Sequence, residues 1–303
     1  MSRPWHTIRY FHHDNATFPA GTSASSWGRA TGALGYSGPG FGLDIMTDPS
    51  RQIEWLQRRP PTYLQTYPSN LNALLEITRS EGRLFPGLRQ VVTLAESVSP
   101  ELRARCLEQW GVPIRDIYSA TEAGYMAIQA PRGDHYLVPD EVVRVELLAD
   151  SGEHVAIGES GKVTVTPLHN FAMPLIRYQI GDYAERGGDS PCGRTLPVIN
   201  RILGRVRNML IYPDGRSSWP LFADSRFRDH APVTQFRVIQ RSGHTLEFQV
   251  AAERALNADE RGALAKILQE RMQYPFEIKV TEHAEIARSA GGKYEDFRSE
   301  VAQ

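Results

Sequence analysis

Residues 91–124 read VVTLAESVSPELRARCLEQWGVPIRDIYSATEAG, and the choice of fold turns on this stretch. Val91, Val92 and Thr93 open an apolar, β-branched run of strand length. Ser99 then stands where a helix cap belongs, with Pro100 at the first helical position and Glu101 in the first turn. Gly111 supplies the stop. "VPIRDIYS" is the next strand, and it breaks off at Tyr118 before Thr121, Glu122 and Gly124. The same alternation runs upstream. "PSRQIEWLQRR" reads as a helix, "TYLQTY" as a strand, and "PSNLNALLEITRSEG" as a helix closed by Gly82. Strand and helix alternating at these lengths predict a parallel α/β sheet.

The texture changes after Glu122. "YMAIQA", "DEVVRVELLAD", "GKVTVTPL" and "PLIRYQIGDYAER" read as strands with only turns between them, an antiparallel or barrel-like region. From about Gly204 a third pattern begins. "RNMLIYPDGRS" and "VTQFRVIQRSGHTLEFQVAAE" read as hairpins, the second turning at Ser242 and Gly243. "SWPLFADSRFRDH" reads as helical and "FEIKVTE" as a strand. "NADERGALAKILQERM" is an amphipathic helix capped by Asn257, with Leu264, Ile267, Leu268 and Met272 on one face. The expected fold class is α/β: a parallel sheet, a β-rich subdomain, then a small α+β domain. The expected boundaries are 1–204 and 205–303. Residues 15–42 are rich in Gly, Ser, Ala and Thr, and are expected to form a long loop or a set of turns.

Bulk properties narrow the function. A chain of 303 residues supports one large or two smaller domains. The formal net charge of −1 gives no electrostatic case for nucleic acid or an anionic membrane. Cys106 and Cys192 are too few for a zinc cluster or a disulfide framework, which fits a reducing compartment. No apolar run has signal-peptide or membrane-spanning character, so a cytoplasmic location is expected.

Four features carry candidate chemistry, each with a plainer alternative. Tyr118 stands at the carboxyl end of a parallel strand, where ligands bind in such sheets. It can stack on a flat ring, and Thr121 and Glu122 offer hard oxygens to Mg²⁺ and phosphate; the alternative is a strand end with a capping threonine. Asp182 follows Gly181 at the end of another strand. Its carboxylate can accept from two vicinal ribose hydroxyls, or it can be a solvated turn aspartate. Gly204–Arg205 marks the change of texture, where Arg205 can reach a ribose or phosphate and Arg207 falls where a hinge would lie; a basic surface linker is the alternative. Lys293 follows Gly291 and Gly292 near the chain end. Its ammonium can swing in to neutralise charge on a phosphate or carboxylate, or it can be a lysine in a frayed tail.

In order, Tyr-x-x-Thr-Glu, Gly-Asp, Gly-Arg and a terminal Gly-Lys resemble the adenylate-forming superfamily of acyl-CoA ligases. The closer likeness is to its phenylacetate–CoA ligase-like branch. "SPCGRTLPVINRILGRVRNML" and "TYPSNLNALL" add to it, and the likeness runs from about Pro49 onward. The resemblance implies that Tyr118 stacks near adenine, Thr121 contacts the nucleotide phosphate and Glu122 binds Mg²⁺. Asp182 and Arg205 would hold the ribose, Arg207 would occupy the hinge, and Lys293 would stabilise attack of a carboxylate on the α-phosphate of ATP. The implied ligands are ATP or AMP, Mg²⁺, coenzyme A and a small carboxylic acid, aromatic by family analogy.

The chain also departs from the family pattern. The Ser/Thr/Gly-rich phosphate loop with a Pro-Lys ending is not found, and "AGTSASSWGRATG" (20–32) lacks its core and its ending. The chain therefore reads as a superfamily member without the first part. The alternative function is a non-catalytic AMP-binding remnant, or one subunit of a split enzyme completed by a partner or by a second copy. Arg207 stands where the family has an acidic hinge residue, and Ala95 replaces the glycine before Glu96. His12, His13 and Asp14 are a weak metal candidate, because adjacent side chains diverge. Cys106 is expected in a helix core, and Cys192 lacks the partner cysteine of a metal knuckle.

Overall fold

The computed structural model describes residues 21–27, 33, 38–79, 85–220, 222, 224–287 and 294–301, with the backbone alone for 5–9, 224 and 225. Twelve strands join in one sheet. In chain order they are β1 (Trp5–Arg9), β2 (Thr22–Ala24), β3 (Gly40–Asp44), β4 (Tyr63–Thr66), β5 (Gln90–Leu94), β6 (Ile114–Ala120), β7 (Gly124–Gln129), β8 (Tyr136–Leu137), β9 (Val143–Leu148), β10 (Ser160–Pro167), β11 (Tyr178–Arg186) and β12 (Val198–Arg205). Their spatial order is β2-β3-β1-β4-β5-β6-β7-β8-β12-β11-β10-β9. β3, β1, β4, β5 and β6 run parallel. From β6 onward every pairing is antiparallel.

Helices α1 (Pro49–Arg58), α2 (Pro68–Ile77) and α3 (Pro100–Trp110) connect the parallel strands. Asp48 caps α1 by accepting from the amides of Ser50 and Arg51 at 2.9 and 3.3 Å. Ser99 caps α3 by accepting from Leu102 N at 3.1 Å, and Gly111 closes it at φ 70°. Trp55, Leu56, Leu71, Leu74, Leu75, Cys106 and Trp110 fill the layer beneath these helices. Buried at this depth, a leucine or tryptophan contributes about 1.5–3 kcal/mol each.

The expected parallel core is therefore present, with two adjustments. α2 stops at Ile77, because the Thr78 hydroxyl turns back to Leu74 O at 2.9 Å and accepts from Trp110 Nε1 at 3.0 Å. Gly82, expected as its stop, lies outside the described residues. The expected loop at 15–42 contains two strands, Thr22–Ala24 and Gly40–Asp44. Its glycines are there for close approach: a Cβ on Gly21 would meet Gly42 O at 2.4 Å, and one on Gly40 would meet Ser26 O at 3.2 Å. A glycine-rich composition imitates a loop where backbones pack without side chains between them.

The β-rich region is not a separate sheet. It continues the parallel one and curls, so that side chains of β6, β7, β9, β10, β11 and β12 share a single core of Tyr118, Met126, Val143, Val163, Ala184 and Ile199.

Beyond β12 a short 3₁₀ turn, Val206–Asn208, leads into a second assembly. β13 (Leu210–Ile211) and β14 (Ser217–Ser218) form a small hairpin. β15 (Val233–Gln240), β16 (Thr245–Ala252), β17 (Glu277–Glu282) and β18 (Phe297–Ser299) form a sheet in the order β17-β16-β15-β18. The stretch 218–230, expected to be helical throughout, holds one five-residue helix, α4 (Asp224–Arg228). α5 (Ala258–Met272) starts in a capping box between Asn257 and Glu260 and buries Leu264, Ile267, Leu268 and Met272 as its spacing predicts. The core of this assembly is drawn from Leu210 to Phe297 and is built around Phe227, Phe236 and Phe248.

Two backbone and charge features give tests. Ala95 sits at φ 73°, in the left-handed region. Left-handed strain of about 1–2 kcal/mol is partly offset by the roughly 0.5–1 kcal/mol that glycine loses in chain entropy. Ala95→Gly should therefore stabilise the protein by about 0.5–1 kcal/mol in urea denaturation. Asp296 lies just before β18, and burial, with the charges of Glu96 and Glu295 adding to it, pushes its carboxyl up to about 6. A carboxyl raised in the folded state destabilises where it must ionise, so its cost is full above pH 6 and vanishes as pH falls towards 4. Asp296→Asn should raise the melting temperature at pH 7.5, with the gain fading between pH 6 and 4.

Candidate functional site

Tyr118 and Asp182 lie on β6 and β11, separated in the sheet by β7, β8 and β12. Curling brings them together, and Tyr118 Oη donates to Asp182 Oδ2 at 2.7 Å. The tyrosine is 8% exposed. Burial, then the Asp182 charge and hydrogen bond, hold its phenol well above the usual value, so it stays a donor. Asp182 faces Arg205 across the β11–β12 ladder, and Arg205 Nε stands 3.6 Å from Asp182 Oδ1. The carboxylate keeps unused lone pairs on both oxygens. Gly181 precedes it at φ 83°, and a Cβ there would meet nothing within 4 Å, so the flank of Asp182 is open. Half-exposed Arg205 anchors the following segment as well, its carbonyl accepting from Trp219 Nε1 at 3.1 Å.

Thr121 and Glu122 form the turn between β6 and β7, and both are exposed. Gly124 makes that turn possible at φ 70°. No cluster of three His, Cys, Asp or Glu side chains suited to a metal occurs among the described residues. Glu122 would thus serve Mg²⁺ as a lone protein carboxylate, an arrangement that suits an ion sharing its coordination with phosphates and water.

Arg207, at the expected hinge, pairs with Glu295 of the C-terminal assembly. Lys293 lies outside the described residues, as do His12, His13 and Asp14. Its neighbour Tyr294 is described: its amide donates to Glu96 Oε1 at 2.7 Å, across 198 positions of sequence. Glu96 follows β5, so it stands at the same carboxyl edge of the parallel sheet as the end of β6.

A buried network below Tyr118 escaped sequence reading. Asp116 accepts from Thr93 Oγ1 at 2.6 Å and from Tyr136 Oη at 2.8 Å, and its amide donates to Gln129 Oε1 at 3.0 Å. Arg103 Nη1 shares that glutamine oxygen at 3.0 Å. Burial raises the Asp116 carboxyl despite these donors. The network braces β6 against its neighbours, and its sequence signal was the charged pair Arg115–Asp116 inside a strand. Cys106 is buried and its thiol is pushed up to about 12, an inert core residue as expected. Cys192 Sγ lies 3.0 Å from Ser190 Oγ, which lowers its pKa.

Known proteins resemble the chain in sequence and in fold. The model of the AMP-binding enzyme family matches residues 39–171. A phenylacetate-coenzyme A ligase of Thermus thermophilus is 29% identical over 204 residues, which cover 62% of this chain and 45% of that protein. A 2-hydroxyisobutyryl-CoA ligase in its postadenylation state, with an acyl-AMP bound, superposes with a TM-score of 0.76 at 21% identity, covering 99% of this chain and 66% of that one. The same enzyme in its thioesterification state, with CoA, gives 0.56. An anthranilate CoA ligase in complex with anthranoyl-AMP gives 0.67 at 19% identity, covering 97% and 58%. The chain spans about half the length of the curated relative and about two thirds of the first of these structures. The chain thus resembles adenylate-forming CoA ligases in an AMP-binding segment at residues 39–171 and in its fold.

Proposed function

We propose that the protein activates a small carboxylic acid with ATP, forming an acyl-AMP and then an acyl-CoA thioester. The observation that carries this reading is the Tyr118–Asp182–Arg205 cluster beside the open flank of Gly181. It presents a fixed carboxylate for two ribose hydroxyls, an aromatic residue beside it and a half-exposed guanidinium. The relatives' bound acyl-AMP and CoA support the same chemistry.

In this reading Asp182 accepts from the ribose diol, and its bond from Tyr118 keeps the carboxylate oriented while the sugar is absent. Arg205 offsets the carboxylate's charge. Thr121 contacts the α-phosphate from the turn after β6. Glu122 would hold Mg²⁺, which supplies positive charge opposite the phosphates when bound. The acid's carboxylate oxygen attacks the α-phosphorus, the bond to the bridging oxygen breaks, and pyrophosphate leaves. Lys293 neutralises charge building on the phosphate and carboxylate oxygens. The CoA thiolate then attacks the acyl carbon and AMP departs.

We place the boundary between a body, residues 1–204, and a C-terminal domain, residues 205–303, with Arg207 at the pivot. The higher score against the postadenylation than the thioesterification structure supports reading the present arrangement as the adenylating one.

A second reading, AMP binding without turnover by the chain alone, draws on the lack of a Gly-rich phosphate loop with a Pro-Lys ending in the sequence. Two measurements separate the readings. Acid-dependent exchange of labelled pyrophosphate into ATP is expected, and Lys293→Ala should lower it about 100-fold or more. Exchange that ignores Lys293 overturns its assignment. AMP binding without exchange in any acid favours the second reading, or a partner that completes the site. In calorimetry, Asp182→Ala should weaken AMP binding by about tenfold, because both ribose hydrogen bonds go. Tyr118→Phe should weaken it less, by about threefold, since only the orientation of Asp182 is lost.

A further inference from the structure

Helix α2 is tied to the C-terminal assembly near both of its ends, directly through Glu76 and through Glu96 at its start. Its N-cap residue, Tyr67, offers no side-chain acceptor. The vacant role passes to Glu96 from the end of β5. Glu96 Oε2 accepts from Ser69 N at 2.8 Å, and Oε1 accepts from Ser69 Oγ at 3.0 Å. A carboxylate is well placed there, since the amide end of a helix carries partial positive charge. The same Oε1 accepts from the amide of Tyr294 at 2.7 Å.

Tyr294 is held from its other side by the C-terminal sheet. Its hydroxyl donates to Phe236 O and accepts from Phe236 N at 3.0 Å, and the Arg237 guanidinium lies 5.8 Å from its ring centre. Its ring thus belongs to the C-terminal assembly and its amide to the body. Lys293 immediately precedes it in the sequence.

At the far end of α2, Glu76 Oε2 accepts from Arg228 Nη1 at 2.8 Å and from Arg105 Nη2 at 2.9 Å. Arg105 is fixed in turn by Asn72 at 2.7 Å, and Arg228 also donates to Thr234 O at 3.2 Å. Ser69 and Glu76 are seven positions apart, roughly 10 Å along a helix. One tie would leave a pivot, whereas two ties that far apart set an orientation.

We propose that Glu96 is a positioning residue for adenylate formation. Together with Glu76 it makes α2 the seat on which the C-terminal assembly docks, and its bond to the Tyr294 amide fixes the residue that adjoins Lys293 in sequence. This rests on the proposed function for its catalytic consequence, but the docking contact itself does not. The role differs from that proposed for Asp182 and Arg205, because Glu96 acts through the seating of the C-terminal assembly. Rotation of the C-terminal assembly must break both ties, and both are charge-assisted.

The test uses the whole chain with three variants, Glu96→Ala, Glu96→Gln and Arg228→Gln, read by two methods. Hydrogen exchange should show the amides of 294–297 protected in the parent protein and exposed in Glu96→Ala. Glu96→Gln, which keeps an acceptor oxygen, should retain most of the protection. Pyrophosphate exchange should fall at least about tenfold in kcat in Glu96→Ala, with KM for ATP within about threefold, because misplacing a catalytic group costs rate more than ground-state binding. Glu96→Gln should recover most of that rate. Arg228→Gln leaves the helix cap intact, so it reads the docking seat even if Glu96→Ala fails to fold. It should expose 294–297 in part and lower kcat in the same direction. Unchanged protection at 294 in Glu96→Ala, or lost protection with full kcat, overturns the proposal. If the parent protein shows no pyrophosphate exchange at all, the proposed function fails, while the hydrogen-exchange comparison still decides whether Glu96 docks the C-terminal assembly through Tyr294.

Discussion

One hydrogen bond closes the body of this protein: Tyr118 Oη to Asp182 Oδ2, at 2.7 Å between strands that are not neighbours in the sheet. A flat sheet would hold β6 and β11 several strands apart, about 4.8 Å per step. The contact exists only because the antiparallel half curls over its own core. The curl thus does two things at once. It buries Met126, Val143, Val163 and Ile199, and it carries an aspartate from a distant strand to the carboxyl edge of the parallel half. Ligands of open α/β sheets bind at that edge. In this protein the edge gains a carboxylate that no neighbouring parallel strand contributes.

The partition between sheet stability and site chemistry is visible within β6. Asp116 and Tyr118 are two residues apart and point to the same side of the strand, since side chains alternate. Asp116 is buried and satisfied by Thr93 and Tyr136, so its charge is spent inside the protein. Tyr118 spends its one donor on Asp182. The next two residues of the motif, Thr121 and Glu122, leave the strand and become exposed. Within seven residues the chain passes from a structural carboxylate, through an orienting phenol, to a solvent-facing carboxylate free to meet a ligand.

Much of this was legible in the sequence, for identifiable reasons. The parallel half was readable because its helices carry strong local signals, Ser99, Pro100 and Gly111 around α3 and Pro49 at the start of α1, and Asn257 marks α5 of the C-terminal assembly in the same way. The strand Gly40–Asp44 was not readable, because its glycines serve backbone contact and resemble loop composition. The early stop of α2 depends on Thr78 bonding to Trp110, a partner 32 positions away. The site residues could be named from the order of short motifs, but their union could not. Tyr118 and Asp182 lie 64 positions apart, and Glu96 and Tyr294 lie 198 apart. Contacts at that separation follow from the path of the sheet and leave no local pattern.

Ala95 links the strand end to Glu96. A residue at φ 73° turns the chain sharply at the end of β5 and aims the next side chain back towards α2. Glycine would adopt that conformation without strain. Alanine is held there against a cost of about 1–2 kcal/mol, so the surroundings must supply at least that much. Glu96 can do so. Its carboxylate completes the amide end of α2 and accepts from Tyr294, and charge-assisted bonds of this kind contribute about 1.5–3 kcal/mol each. The strain at Ala95 and the bonds of Glu96 are therefore two sides of one balance. The backbone is bent where the bend places a carboxylate between a helix terminus and the amide of Tyr294.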